Sequence, residues 1–147
     1  MNIKTWLLTG AVALTASPLA AHHNFAAHYR GSEIVENRGV VTEFRFVNPH
    51  ARVYFDVTNP DGTTEEWMAE GDASVALRRS GWEPDQLKPG DRIHVVGNPS
   101  LNGTNTMSWD SITLDGGIEF GGGDGRDAER MAILNRRLTE HRTLRAR

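Results

Sequence analysis

"EIVENRGVVTEFRFVNPHARVYFDVT", residues 33–58, decides the fold. In its last part Ala51, Val53, Phe55 and Val57 alternate with His50, Arg52, Tyr54 and Asp56. A period of two with one apolar face predicts a half-buried strand. The first part is rich in Val, Phe and Thr and predicts a long strand, with a bend or bulge expected at Gly39. Asn48-Pro49 separates the two, because Pro49 cannot donate to a ladder and the pair is a turn signal.

Downstream, "NPDG" at residues 59–62 is a turn and "TEEWMAEG" at residues 64–71 a third strand, which completes a meander. A short helix follows, with Asp72 or Ser74 as the expected cap and Gly81 as the stop. "WEPDQLKPGD" is a loop with two prolines. Residues 92–97 and 106–114 read as the fourth and fifth strands, joined by "NPSLNGTN". The order is β-β-β-α-β-β. It predicts a mainly β chain folded as a small five-stranded OB-like barrel, with an open β-sandwich as the alternative.

The flanks differ from this domain, which spans residues 22–117. Residues 118–126 read as a glycine-rich linker. Residues 127–147 carry Met131, Leu134 and Leu138 at helical spacing among arginines, which predicts a basic amphipathic helical tail, separable beyond Gly121. At the other end Lys4, an apolar run over residues 6–14 and a small-residue stretch ending in Ala20-Ala21 form the pattern of a cleaved export signal over residues 1–21. The run is short for a bilayer span, so no transmembrane segment is expected after cleavage; a retained anchor is the alternative. A cut after Ala21 puts Leu19 at the −3 position and makes His22 the first mature residue. A cut after Ala20 would need Pro18 there and would give Ala-His-His. A periplasmic or secreted protein is expected.

Composition narrows the chemistry. The chain of 147 residues has a formal charge of −3, which becomes −4 once the signal and its one lysine are removed. That balance is read as excluding nucleic acid as the main partner, since such binders normally carry a basic footprint. The chain has no cysteine, hence no disulfide, thiolate nucleophile or Cys-ligated zinc.

"AHHNFAAHY", "GVVTEFRFVNPHARVYFDV", "RRSGW", "LKPGD" and the "SITLDG" stretch together resemble a group of small exported bacterial proteins. That group has an Ala-His-His-Ser-Phe-like mature start and an Asn-Pro-His motif, and is classed as a domain of unknown function. The resemblance covers residues 21–117. Asn24 stands where the group usually has Ser, and the arginine-rich tail is not part of the pattern. The resemblance implies export and a small β-barrel-like domain, and no activity.

Six histidines carry the metal chemistry: His22, His23, His28, His50, His94 and His141. A mature N-terminal His22 would chelate through its α-amine and Nδ1, and one further imidazole would complete a T-shaped brace. His50, placed by Pro49 at a strand start, is the best partner; His23 and His28 are auxiliary candidates. With the cut after Ala20, the amine, two amides and His23 would form a square-planar site instead. Nitrogen-rich sets of this kind suit copper or nickel, with affinity rising to Cu(II). The bland readings are a frayed polar terminus for His22 and His23 and a turn histidine for His50. The alternative is a metal-independent saccharide- or peptide-binding module, using Arg52, Tyr54 and Trp109 as a ligand face. No Gly-x-Ser-x-Gly or His-Glu-x-x-His motif is present. The expectation is a protein that binds a metal ion or small envelope ligand without turning it over, with a copper monooxygenase as a remote third class.

Overall fold

The computed structural model describes residues 25–115 and 119–121, together with positions 132, 136, 139, 142 and 143. The stretch read as an export signal, His22, His23, His141 and most of the stretches read as linker and tail lie outside the described residues.

Within residues 25–121, among the described residues, a 3-10 turn at Phe25–Ala27 is followed by β1 (Val35–Arg45), β2 (Arg52–Thr58), β3 (Thr64–Glu70), α1 (Ser74–Arg79), β4 (Arg92–Pro99), β5 (Thr106–Leu114) and β6 (Glu119–Gly121). The sheet runs β3-β2-β1-β4-β5-β6, and a parallel pairing of β3 with β5 closes the first five strands into a barrel. This is the OB-like arrangement the strand order predicts, and closure excludes the open sandwich.

β1 makes the closure possible by serving two neighbours. Its first half, from Val35 to Val40, pairs with β4, and its second half, from Val40 to Arg45, pairs with β2. The changeover falls beside Gly39. A Cβ there would stand 2.5 Å from the Asp56 carbonyl oxygen and 2.7 Å from the Phe55 ring, so only glycine lets the strands approach this closely. The irregular register lies two to four residues later, between Val41 and Glu43, rather than at the glycine itself. A bulge there adds the local twist a small barrel needs.

The alternation in β2 sets the core. Val53 and Phe55, with Ala51 just before the strand, are fully buried, and Val57 packs against the same cluster. Full burial of side chains of this size contributes about 1.5–3 kcal/mol each. Val41, Ala69, Ile93, Val95, Met107 and Ile112 meet them from the other strands. The helix adds Leu77 to this core. It is capped differently from the expectation: Ala73 is the N-cap residue, and the Ser74 hydroxyl bonds Asn48 Oδ1 at 3.0 Å instead. Gly81, at φ 88°, ends it as predicted. Trp82 and Leu87 from the proline-containing loop are buried in the same core.

β6 falls inside the stretch read as a linker. It pairs with Ser111, Ile112 and Thr113 of β5. The tail also touches the barrel: the Arg142 guanidinium meets the Glu36 carboxylate at 2.7 and 3.2 Å.

Candidate functional site

The barrel carries a cleft of about 640 Å³ over the seam where β3 meets β5. Its walls come from four parts of the chain: the start of β2 (His50, Arg52), the end of β3 (Met68, Glu70) with Gly71 and Asp72, β5 (Ser108, Trp109, Asp110), and the β4–β5 turn. The N-terminal segment forms the remaining wall, with Phe25, His28 and Tyr29 lining the cleft. That segment is pinned by Tyr29 bridging to Ser100, by Leu101 N–H donating to the His28 carbonyl at 2.9 Å, and by Arg30 N–H donating to the Pro99 carbonyl at 2.9 Å.

His50 is fixed by the backbone around it. Ala51 N–H donates to the Asp72 carbonyl, and Gly71 N–H donates to the Ala51 carbonyl, both at 3.0 Å. Between these two bonds the His50 ring sets its Nδ1 3.0 Å from the Gly71 carbonyl oxygen. A carbonyl only accepts, so this bond is made with a proton on Nδ1. Gly71 is required here for a second reason. A Cβ on it would run into the Trp109 ring, which stacks in turn on Trp82 at a centroid distance of 5.7 Å.

Charge is concentrated beside that ring. Glu70 Oε1 is 3.8 Å from His50 Nδ1, and Glu70 Oε2 is 3.2 Å from Arg52 Nε. Tyr29 sits close enough to feel both. Its phenol is pushed up to about 12, by burial first and by the Glu70 charge second, with Arg52 opposing. It is therefore a neutral hydroxyl at physiological pH.

The structure sorts the sequence candidates. His28 and His50 line one cleft; His22 and His23 lie outside the described residues. Among the described residues, no three of His, Asp and Glu are grouped as a metal-holding set. Arg52 belongs to the cleft, but Tyr54 does not. Its ring lies under the Arg45 guanidinium at 4.8 Å and does not line the cleft. Trp109 is only 7% exposed and belongs to the core, so it reaches the cleft wall while packed inside the barrel. Of the expected ligand face, Arg52 and Trp109 therefore line the cleft and Tyr54 does not. His94 faces Glu36, with Nε2 3.3 Å from the carboxylate; burial, then Arg38, holds its pKa below the usual histidine value. Tyr29, Glu70, Gly71 and Asp72 were not singled out as site residues. Glu70, Gly71 and Asp72 follow the third strand and Tyr29 precedes the first, and no local sequence pattern links them to the Asn-Pro-His turn.

Residues 11–108 match a family of unknown function, DUF6152. The chain belongs to that family. No curated protein matches it. Among solved structures, the chain is similar to the mitochondrial single-stranded DNA-binding protein Rim1 from S. cerevisiae, at 12% identity and a TM-score of 0.42, over 56% of this chain and 92% of that one. It is also similar to a small single-stranded DNA-binding protein from Streptomyces coelicolor, at 21% identity and a TM-score of 0.39, over 56% and 91% of the two chains. These likenesses concern the barrel fold. They also correct one expectation for this family member: the exclusion of nucleic acid rested on net charge alone, and similar barrels are found in single-stranded DNA-binding proteins, so that exclusion is withdrawn.

Proposed function

We propose that this DUF6152 protein is an exported copper-binding protein, in which the α-amine and ring of a mature N-terminal His22 and Nε2 of His50 hold the metal. The observation that carries the reading is the His50 ring, bonded through Nδ1 to the Gly71 carbonyl at 3.0 Å in the wall of a cleft. Metal-ligating histidines are commonly oriented in this way, with the other nitrogen donating to a carbonyl. Reach supports the same partner. Phe25 lines the cleft, and His22 precedes it by three residues. An extended chain spans up to about 3.5 Å per residue, so the amine falls within about 10 Å of Phe25. Without cysteine the strong borderline donors are nitrogens, a set that favours Cu(II). His28, on the same wall, and His23 are auxiliary ligands. The role is carriage or sensing of copper in the cell envelope.

A metal-independent binding module is the second reading. The observation behind it is volume: about 640 Å³ far exceeds the space of one ion, and the walls offer Tyr29, the Trp109 edge and several carboxylates.

N-terminal sequencing of the protein recovered from the periplasm, with metal analysis of the same sample, tests the proposal. A His-His-Asn-Phe start with about one copper per chain supports it. A chain retaining Met1, or a correctly cut chain without copper after reconstitution, refutes it.

A further inference from the structure

We infer that Glu70 is a positioning residue for His50, its carboxylate held by Arg52 so that it fixes the imidazole with Nδ1 protonated and Nε2 as the donor. The inference rests on the proposed role of His50, and adds to it a residue that does not touch the metal.

The geometry divides the carboxylate between two tasks. Oε2 accepts from Arg52 Nε at 3.2 Å, and Oε1 lies 3.8 Å from His50 Nδ1. The second distance is too long for a hydrogen bond but short enough for charge to act, because both side chains are about three-quarters shielded from solvent. The Nδ1–H bond itself goes to the Gly71 carbonyl. A negative charge beside that N–H favours the tautomer that carries it and makes the opposite nitrogen a better donor. Strand register builds the arrangement. Arg52 is directly opposite Glu70 in the β2–β3 pairing, so the two side chains share one face of the sheet. His50, two residues before Arg52, comes to the same side.

Arg52 gives the arrangement its direction. A carboxylate this close to a metal-binding imidazole could otherwise rotate toward the ion and become a ligand itself. The guanidinium engages one oxygen and keeps the group beside Nδ1. Tyr29 lies within the field of the same pair and, as a neutral hydroxyl, adds no competing charge.

The test uses mature protein and two readouts. The first is the nitrogen-15 shifts of the His50 ring in metal-free protein, which report the tautomer. The second is Cu(II) affinity with electron paramagnetic resonance of the bound ion. Glu70→Gln keeps the size of the side chain and removes its charge. The expected result is a parent ring protonated at Nδ1 through the Gly71 bond, a larger share of the Nε2-protonated tautomer in E70Q than in the parent, and Cu(II) affinity lower by about 10- to 100-fold with the same number of nitrogen ligands. Arg52→Gln should weaken affinity by less, and adding it to E70Q should change nothing further. Glu70→Asp, which withdraws the carboxylate by one methylene, gives the same readouts should E70Q fold poorly. An unchanged tautomer and unchanged affinity in the Glu70 variants would overturn the inference. If the parent binds no Cu(II), the copper reading fails, while the metal-free tautomer still decides whether Glu70 positions His50.

Discussion

The His50 imidazole and the Gly71 carbonyl are joined by a 3.0 Å hydrogen bond, and the same Gly71 leaves no room for a side chain against Trp109. One backbone unit therefore couples the cleft to the core. Gly71→Ala must displace the Trp109 ring, which is itself stacked on Trp82. Overpacking of this kind typically costs about 1–3 kcal/mol. Denaturant melts should show that loss, and near-ultraviolet circular dichroism should show the indole environment altered. An unchanged spectrum would mean that the ring has space to yield.

Phe55 tests the barrel register. It is fully buried on β2, opposite Trp67 of β3 and Val41 of β1. Phe55→Ala should destabilise the protein by about 3–5 kcal/mol, the usual cost of truncating a core aromatic. A loss below about 1 kcal/mol would place this strand in another register.

Tyr29 predicts an alkaline effect. Its folded pKa, about 12, lies above the ordinary phenol value of 10.0. Between these values the unfolded chain releases a proton that the folded chain keeps. Stability is therefore full below about pH 10 and falls as pH rises toward 12, by up to about 1.4 kcal/mol per unit. Stability curves should show this slope, and Tyr29→Phe should remove it. Equal slopes in both proteins would contradict the placement of Tyr29 beside Glu70.

Glu36 predicts the opposite, acidic effect. The Arg142 hydrogen bond chiefly, and His94 with it, hold its carboxyl below the usual carboxylate range, against a desolvation that raises it. The stabilisation is present above the ordinary carboxylate pKa and lost as pH falls through the lowered one. Deleting residues 122–147 should raise the Glu36 titration toward its ordinary value, read by carbon-13 carboxyl shifts. The melting temperature should hardly move, because an exposed ion pair contributes little. A Glu36 titration that is the same with and without the tail would show that Arg142 does not dock.

The barrel was legible because its signals are local. The alternation through Val53 and Phe55, the Asn48-Pro49 break and the NPDG turn each lie within a few residues, and together they specify strand order. β6 was not legible, because Glu119–Gly121 is embedded among glycines that read as linker, and its pairing with Ser111–Thr113 supplies the order instead. The site was half legible. His50 stood out by its motif, but its neighbours Glu70, Gly71 and Tyr29 come to it through strand pairing and a bridge to Ser100, which local pattern does not encode. Trp109 was half legible for the same reason: it lines the cleft, but its packing against Gly71 and Trp82 comes from strand pairing that local pattern does not encode.

The most direct test of the copper site is a Cu(II) titration of mature protein beginning at His22, followed by electron paramagnetic resonance, beside His22→Ala, His50→Ala and a form with one extra alanine ahead of His22. The parent should bind one tight equivalent with a nitrogen-rich spectrum, His22→Ala and His50→Ala should lose it, and the form with the extra alanine should exchange it for the square-planar spectrum of an Ala-His-His start that no longer depends on His50. His22→Ala and His50→Ala variants that bind copper as the parent does would contradict the site, and a parent whose copper is lost in an added His23→Ala variant alone would move it to the square-planar terminal motif.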